Sequence, residues 1–151
     1  MLFRSYARQA LAVVADRHLE GAVRFVGQVP HSDVPSFFSG AVAFVFASSC
    51  ENCPNTLCEA MVSGLPIACS NVLPMPEFAG DAVAYFDPTQ PTSIADALEP
   101  LLHDSTLRAR LARATQARVR GQTWSASFDR VVAAMMDACH VRRQVPRTES
   151  A

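Results

Sequence analysis

The chemistry-bearing stretch of this 151-residue chain runs Ser48-Ser49-Cys50-Glu51-Asn52-Cys53-Pro54-Asn55-Thr56-Leu57-Cys58-Glu59. An apolar run precedes it, and a helical pattern bounded by Asn55 and Gly64 comes after it, so it predicts strand, polar loop, then helix. Asn is a favoured N-cap and Gly a favoured C-terminal stop. With Asn55 as the cap, the backbone N–H groups of Thr56, Leu57 and Cys58 have no helical acceptor. Together with the helix dipole they form a site suited to phosphate. Pro54 stiffens the entry. Glu59 lies four residues after Asn55 and projects on the cap's side. A carboxylate repels phosphate but accepts hydrogen bonds from hydroxyls, as acids do from ribose in dinucleotide sites. Glu59 therefore suits a sugar next to the phosphates, and Glu51 in the loop a second sugar farther along.

These groups need a scaffold, and the flanking patterns supply one. Strand-like runs at Val23–Val26, Ala41–Phe46, Pro66–Cys69 and Ala82–Phe86 alternate with helical patterns at Tyr6–His18, Ser32–Ser39 and Thr56–Ser63. Such alternation predicts a parallel α/β sheet of about four strands with helices on both faces. Ligands of these sheets bind at the carboxyl ends of the strands, where the Ser48–Glu59 loop begins. After Asp87 the pattern becomes helical only, at Thr92–His103, Ser105–Arg120 and Ser125–Val141. Phe128, Val131, Val132, Met135, Met136 and Cys139 share one face of the last helix and are expected to cover the domain's own sheet. Residues 1–141 read as one domain and residues 142–151 as a polar tail that frays.

Composition excludes several classes. Half of the residues are hydrophobic, and 13 basic against 14 acidic residues give a net charge of −1. Neither nucleic acid nor an anionic membrane is an expected partner, and no apolar run reaches the roughly 18 residues of a membrane span. Arg4, Arg8 and the run from Ala10 to Ala15 fit an amphipathic helix better than a targeting peptide. Five cysteines, an odd number, in a chain of this length point to free thiols in the cytoplasm and not to a disulfide framework. Cys50, Cys53 and Cys58 lack the second pair that a zinc site needs, so no metal is expected. The four histidines have no obvious nucleophile or acid partner in the sequence pattern and read as surface or packing residues. Arg108, Arg110, Arg113, Arg118 and Arg120 read as solvated helix faces.

The Glu51-x7-Glu59 spacing, with Ala60-Met61 and Gly64-Leu65-Pro66 after it, resembles the signature of retaining glycosyltransferases of family four, which have the GT-B fold. Phe25-Val26-Gly27 before it is similar to that family's preceding strand and turn. Ser70-Asn71, Pro76-Glu77, Gly80-Asp81-Ala82 and Phe86-Asp87-Pro88 are similar to the family's segments on the C-terminal side of the signature. The likeness runs from about Val23 to Trp124. It implies an incomplete Rossmann-like C-terminal domain that binds a nucleotide-sugar. In such a domain Glu59 holds the ribose, and the backbone amides of Asn55, Thr56 and Leu57 hold the diphosphate. Glu51 is the catalytic-site acid at the donor hexose, and Gly27 and Gln28 lie near the base. The implied reaction is hexosyl transfer to a hydroxyl acceptor with retention, with no metal and no cofactor beyond the donor.

The same resemblance implies missing parts. The family's N-terminal, acceptor-binding domain has no counterpart here, and neither do the first strands of the donor domain with their Gly-rich turn. A chain supplying the N-terminal domain is therefore an expected partner. The alternatives are a non-catalytic interaction module and an inactive fragment. Exposed apolar surface near the remaining strands is expected in each case.

Overall fold

The computed structural model describes residues 2–144. The chain divides into two compact units, Met1–Val34 and Pro35–Ala151. The first contains helix α1 (Leu2–Asp16) and a single 3-10 turn at His31–Asp33. Its segment Val23–Val26 is not a strand, which corrects the four-strand expectation. A strand exists only through a neighbour that takes its backbone groups, and pattern alone does not provide one. No side chain from Tyr6 to Asp33 is buried, and Phe25 and Val26 are about half exposed.

The α/β sheet expected from sequence lies in the second unit. In chain order come α2 (Val34–Ser39), β1 (Phe44–Phe46), α3 (Asn55–Ser63), β2 (Ile67–Ser70), α4 (Met75–Ala79), β3 (Ala84–Phe86), α5 (Pro91–His103), α6 (Ser105–Val119) and α7 (Trp124–Gln144). The three strands are parallel, in the order β1-β2-β3. Phe44 pairs with Ile67 and Phe46 with Cys69, while Ala68 pairs with Ala84 and Ser70 with Phe86.

Every residue of the central strand β2 is buried, as a parallel strand covered on both faces must be. Its alternation feeds two cores. Ile67 and Cys69 join Leu57, Ala60 and Met61 of α3 and Met75 and Ala79 of α4. Ala68 joins Phe86, Leu101 of α5 and Leu111 of α6. Each fully buried Leu, Ile or Met here contributes about 1.5–3 kcal/mol, and those of α3 and β2 fix the helix start against the strand end.

Local signals set the helix ends. Gly64 closes α3 in the left-handed region, with φ +75° and its N–H donated to Met61 O. The Asp104 carboxylate accepts the amides of Thr106 at 2.8 Å and Leu107 at 2.9 Å, capping α6. At its other end α6 grips α4: Arg118 donates to Phe78 O at 3.0 Å and to Glu77 O at 2.7 Å.

One expectation about the C-terminus is corrected. The last helix runs to Gln144, and residues 145–151 of the expected tail lie outside the described residues. The apolar face of α7 does not cover the sheet: Phe128 is 67% exposed, Met135 64% and Val131 57%. A period of 3.6 shows that a helix has an apolar face without showing what meets it. No helix among the described residues is long and apolar enough to cross a membrane.

Candidate functional site

Strand β1 ends at Phe46, and the loop after it leads into α3. Ser48 Oγ donates to Cys50 O at 3.3 Å across the loop's first turn. Pro54, itself buried, stands immediately before the helix with φ −80° and ψ 67°. Asn55 is the first residue of α3 rather than its cap. Its N–H is donated back to Cys53 O at 2.9 Å, and its Oδ1 accepts the Cys53 thiol at 3.3 Å. The helix start has no side-chain cap bond, so the cap expected from the residue type does not form.

The set of bare amides changes with it. Cys58 N–H donates to Pro54 O at 3.1 Å, so it is not free as expected. Among the described residues, the amides of Thr56 and Leu57 have no hydrogen-bond acceptor. The Leu57 side chain is fully buried, whereas Thr56 is exposed. Both unsatisfied N–H groups stand at the positive end of a nine-residue helix; that of Thr56, on an exposed residue, is open to an anion, while Leu57 as a whole residue has no exposed surface.

Glu51 in the loop and Glu59 one turn into α3 are both partly buried. Burial raises the pKa of the Cys58 thiol, and the charges of Cys53 and Glu59 raise it further. Cys58 thus stays protonated at neutral pH, which gives it no advantage as a nucleophile. Gly27 and Gln28 belong to the first unit. Gly27 has φ +74°, a conformation that side-chain-bearing residues rarely adopt, so its turn depends on glycine.

Beside the α3 start is a cavity of about 700 Å³. Cys53, Asn55 and Cys58 form one wall, Glu77 and Phe78 of α4 another, and Trp124, Ser127 and Arg130 of α7 a third. Of the expected site residues only Asn55 lines it; Glu51, Thr56, Leu57 and Glu59 do not. The wall is tied together by Gln122, whose Nε2 donates to Phe78 O at 2.8 Å and whose Oε1 faces the Cys58 thiol at 3.9 Å. Sequence reasoning missed these α4 and α7 residues because the cavity is assembled from three segments far apart in the chain. The available signal was Trp124, the single tryptophan of the chain, at the first position of α7.

Comparison with known proteins gives a consistent result. The profile of the family described as Glycosyl transferases group 1 matches residues 6–118. The O-antigen chain mannosyltransferase B of Escherichia coli is 37% identical over 89 residues, which are 59% of this chain and 23% of that protein. The solved structure of sucrose-phosphate synthase from Thermosynechococcus elongatus superposes with a TM-score of 0.74 at 24% identity, over 89% of this chain and 35% of that one. The chain thus spans about a quarter of one relative and about a third of the other.

Proposed function

The chain belongs to the family Glycosyl transferases group 1, and from that premise we propose that it is the donor-binding half of a retaining GT-B hexosyltransferase. The observation that carries this is the start of α3. Two bare amides, those of Thr56 and Leu57, stand at the positive end of a helix that comes after a parallel strand, with Glu59 one turn further in.

In the proposed complex the diphosphate of a nucleotide-sugar accepts hydrogen bonds from these two amides. They stabilise the charge that grows on the diphosphate as the hexosyl bond breaks, with the exposed Thr56 amide already set in place by the helix. Glu59 accepts the ribose hydroxyls and Glu51 those of the donor hexose, while Asn55 borders the phosphates. A hydroxyl of the acceptor attacks the anomeric carbon with retained configuration, and the nucleoside diphosphate leaves. The partner is an N-terminal domain that closes the cleft, and the location is the cytoplasm, consistent with five free thiols.

Calorimetric titration with UDP-, GDP- and ADP-hexoses tests the proposal. One of them should bind, and Glu59→Ala should weaken it by about 10-fold or more, the equivalent of a lost hydrogen-bond pair to ribose. Unchanged affinity removes Glu59 from the site. The exposed apolar face of α7 at Val131 and Met135 favours a second reading, an interaction module without catalysis. Absence of all nucleotide-sugar binding in a folded chain would support it.

A further inference from the structure

The segment that enters α3 carries three thiols within nine residues, Cys50, Cys53 and Cys58, and all three are free. The function proposed above uses none of them. The fold draws two of the three together. Cys53 Sγ donates to Asn55 Oδ1 at 3.3 Å. Asn55 and Cys58 are three residues apart on α3, and residues at that spacing are neighbours on one helix face. The backbone between the two cysteines is curled: Asn55 N–H donates to Cys53 O at 2.9 Å, and Cys58 N–H to Pro54 O at 3.1 Å. Cys53 and Cys58 consequently line the same cavity, and Cys50 is not part of its lining. The electrostatics agree. After burial, the charge of Cys53 and then that of Glu59 raise the Cys58 pKa, and Cys50 has no part in it.

The two thiols differ in access. Cys53 is exposed and Cys58 partly buried, so a small oxidant in solution meets Cys53 first. Cys58 stands behind it as the second sulfur. Thr56 and Leu57 lie between them in the chain, so a bond joining the two sulfurs closes a ring that contains both bare amides. It also removes the S–H that Asn55 Oδ1 accepts. The Pro54 turn, and with it the direction of the Thr56 amide, is then set by the disulfide, whose Cβ atoms stand about 3.5–4.5 Å apart.

We propose that Cys53 and Cys58 are a peroxide-sensitive thiol pair whose reversible disulfide switches off diphosphate binding at the start of α3. Cys53 Sγ attacks one peroxide oxygen and the O–O bond breaks. Cys53 becomes a sulfenic acid, and the departing hydroxide takes the thiol proton and leaves as water. Cys58 Sγ then attacks Cys53 Sγ, the S–O bond breaks, and the second hydroxide leaves as water with the Cys58 proton. The two thiols lose two electrons in all, to one peroxide. The disulfide derives from the thiol pair itself; the switching role rests on the donor-domain function proposed above.

The intact chain is treated with hydrogen peroxide, its remaining thiols are alkylated, and it is cleaved after glutamate for mass spectrometry. Glu51 and Glu59 bracket the pair, so Cys53 and Cys58 fall in one peptide, residues 52–59, with Cys50 and Cys69 in the peptides on either side. That peptide should be unalkylated and lighter by two hydrogen atoms, and dithiothreitol should reverse the change. Calorimetry with UDP-, GDP- and ADP-hexoses should show binding weakened about 10-fold or more by oxidation, the loss of a hydrogen bond to a charged group, and restored by dithiothreitol. Cys53→Ser should bind equally before and after peroxide. Any other fate of the two thiols, whether both alkylated, Cys53 joined to Cys50, or each oxidised singly, overturns the pair. An oxidised chain that binds as before, or a Cys53→Ser variant that loses binding in peroxide as the wild type does, overturns the switch. The disulfide in a chain whose reduced form binds no nucleotide-sugar keeps the pair and overturns the switch together with the donor function.

Discussion

Replacing Thr56 by proline removes one of the two bare amides and little else. Its N–H has no acceptor among the described residues, so the substitution breaks no helical hydrogen bond, and its side chain is exposed, so little packing is lost. Proline in the first helical turn has a precedent in this chain: Pro76 is the second residue of α4. The remaining cost is the bias that proline imposes on Asn55 before it, which should stay below the roughly 3 kcal/mol of a proline in a helix interior. The gain forgone on binding is a charge-assisted hydrogen bond, worth about 1.5–3 kcal/mol. That corresponds to a Kd about 10- to 150-fold higher for the nucleotide-sugar. Thr56→Ala is the matched control because it removes the side chain and keeps the amide. Calorimetry on both variants, with thermal melts to confirm folding, should show Ala near wild type and Pro far weaker. Equal affinities for the two variants would refute the role of the amide.

Two further predictions concern the scaffold. Gly64→Ala places a side chain at φ +75° and drives its Cβ into the side chain of Gln116. Because that side chain can move, most of the cost is conformational, about 2 kcal/mol, and the melting temperature should fall by roughly 4–8 °C; an unchanged melt would contradict the αL stop. Stability should also fall as pH rises from about 9. Burial pushes the Cys69 thiol from 9.0 up to about 12. Burial, with the charges of Cys69 and Asp81, pushes Tyr85 from 10.0 up to about 12 against the opposing effect of Arg118. The unfolded chain releases both protons before the folded chain does, so the stabilisation is complete below the unfolded values and is lost toward pH 12. Denaturant titrations between pH 8 and pH 11 should show the decline, and Tyr85→Phe should flatten its upper part; stability that is level or rising across that range would contradict the shifts.

What could be read from sequence was what neighbouring residues determine among themselves. β2, the helices α3, α5 and α6 and the Gly64 stop arise from local period and backbone preference, and they lie within about two residues of the expected positions. The α/β class, the family and the loop-to-helix transition after Pro54 were legible in the same stretch. Readings that needed a partner from elsewhere in the chain fared worse. Val23–Val26 has the composition of a strand but no ladder beside it. The α7 stripe has a face but nothing of this sheet against it. Asn55 has the residue type of a cap, yet Pro54 before it and the thiol of Cys53 commit its side chain and amide elsewhere. The cavity joins residues from Cys53 to Arg130, a grouping that no spacing rule identifies.

The most direct test is to track the backbone amide resonances of α3 by NMR while UDP and GDP are added. The Thr56 and Leu57 signals should move downfield saturably with at least one nucleotide, as expected when an N–H donates to a phosphate oxygen, while Cys58, already bonded to Pro54, moves less. Binding that leaves Thr56 and Leu57 in place, with the shifts centred elsewhere, would contradict the assignment of the α3 start as the diphosphate site.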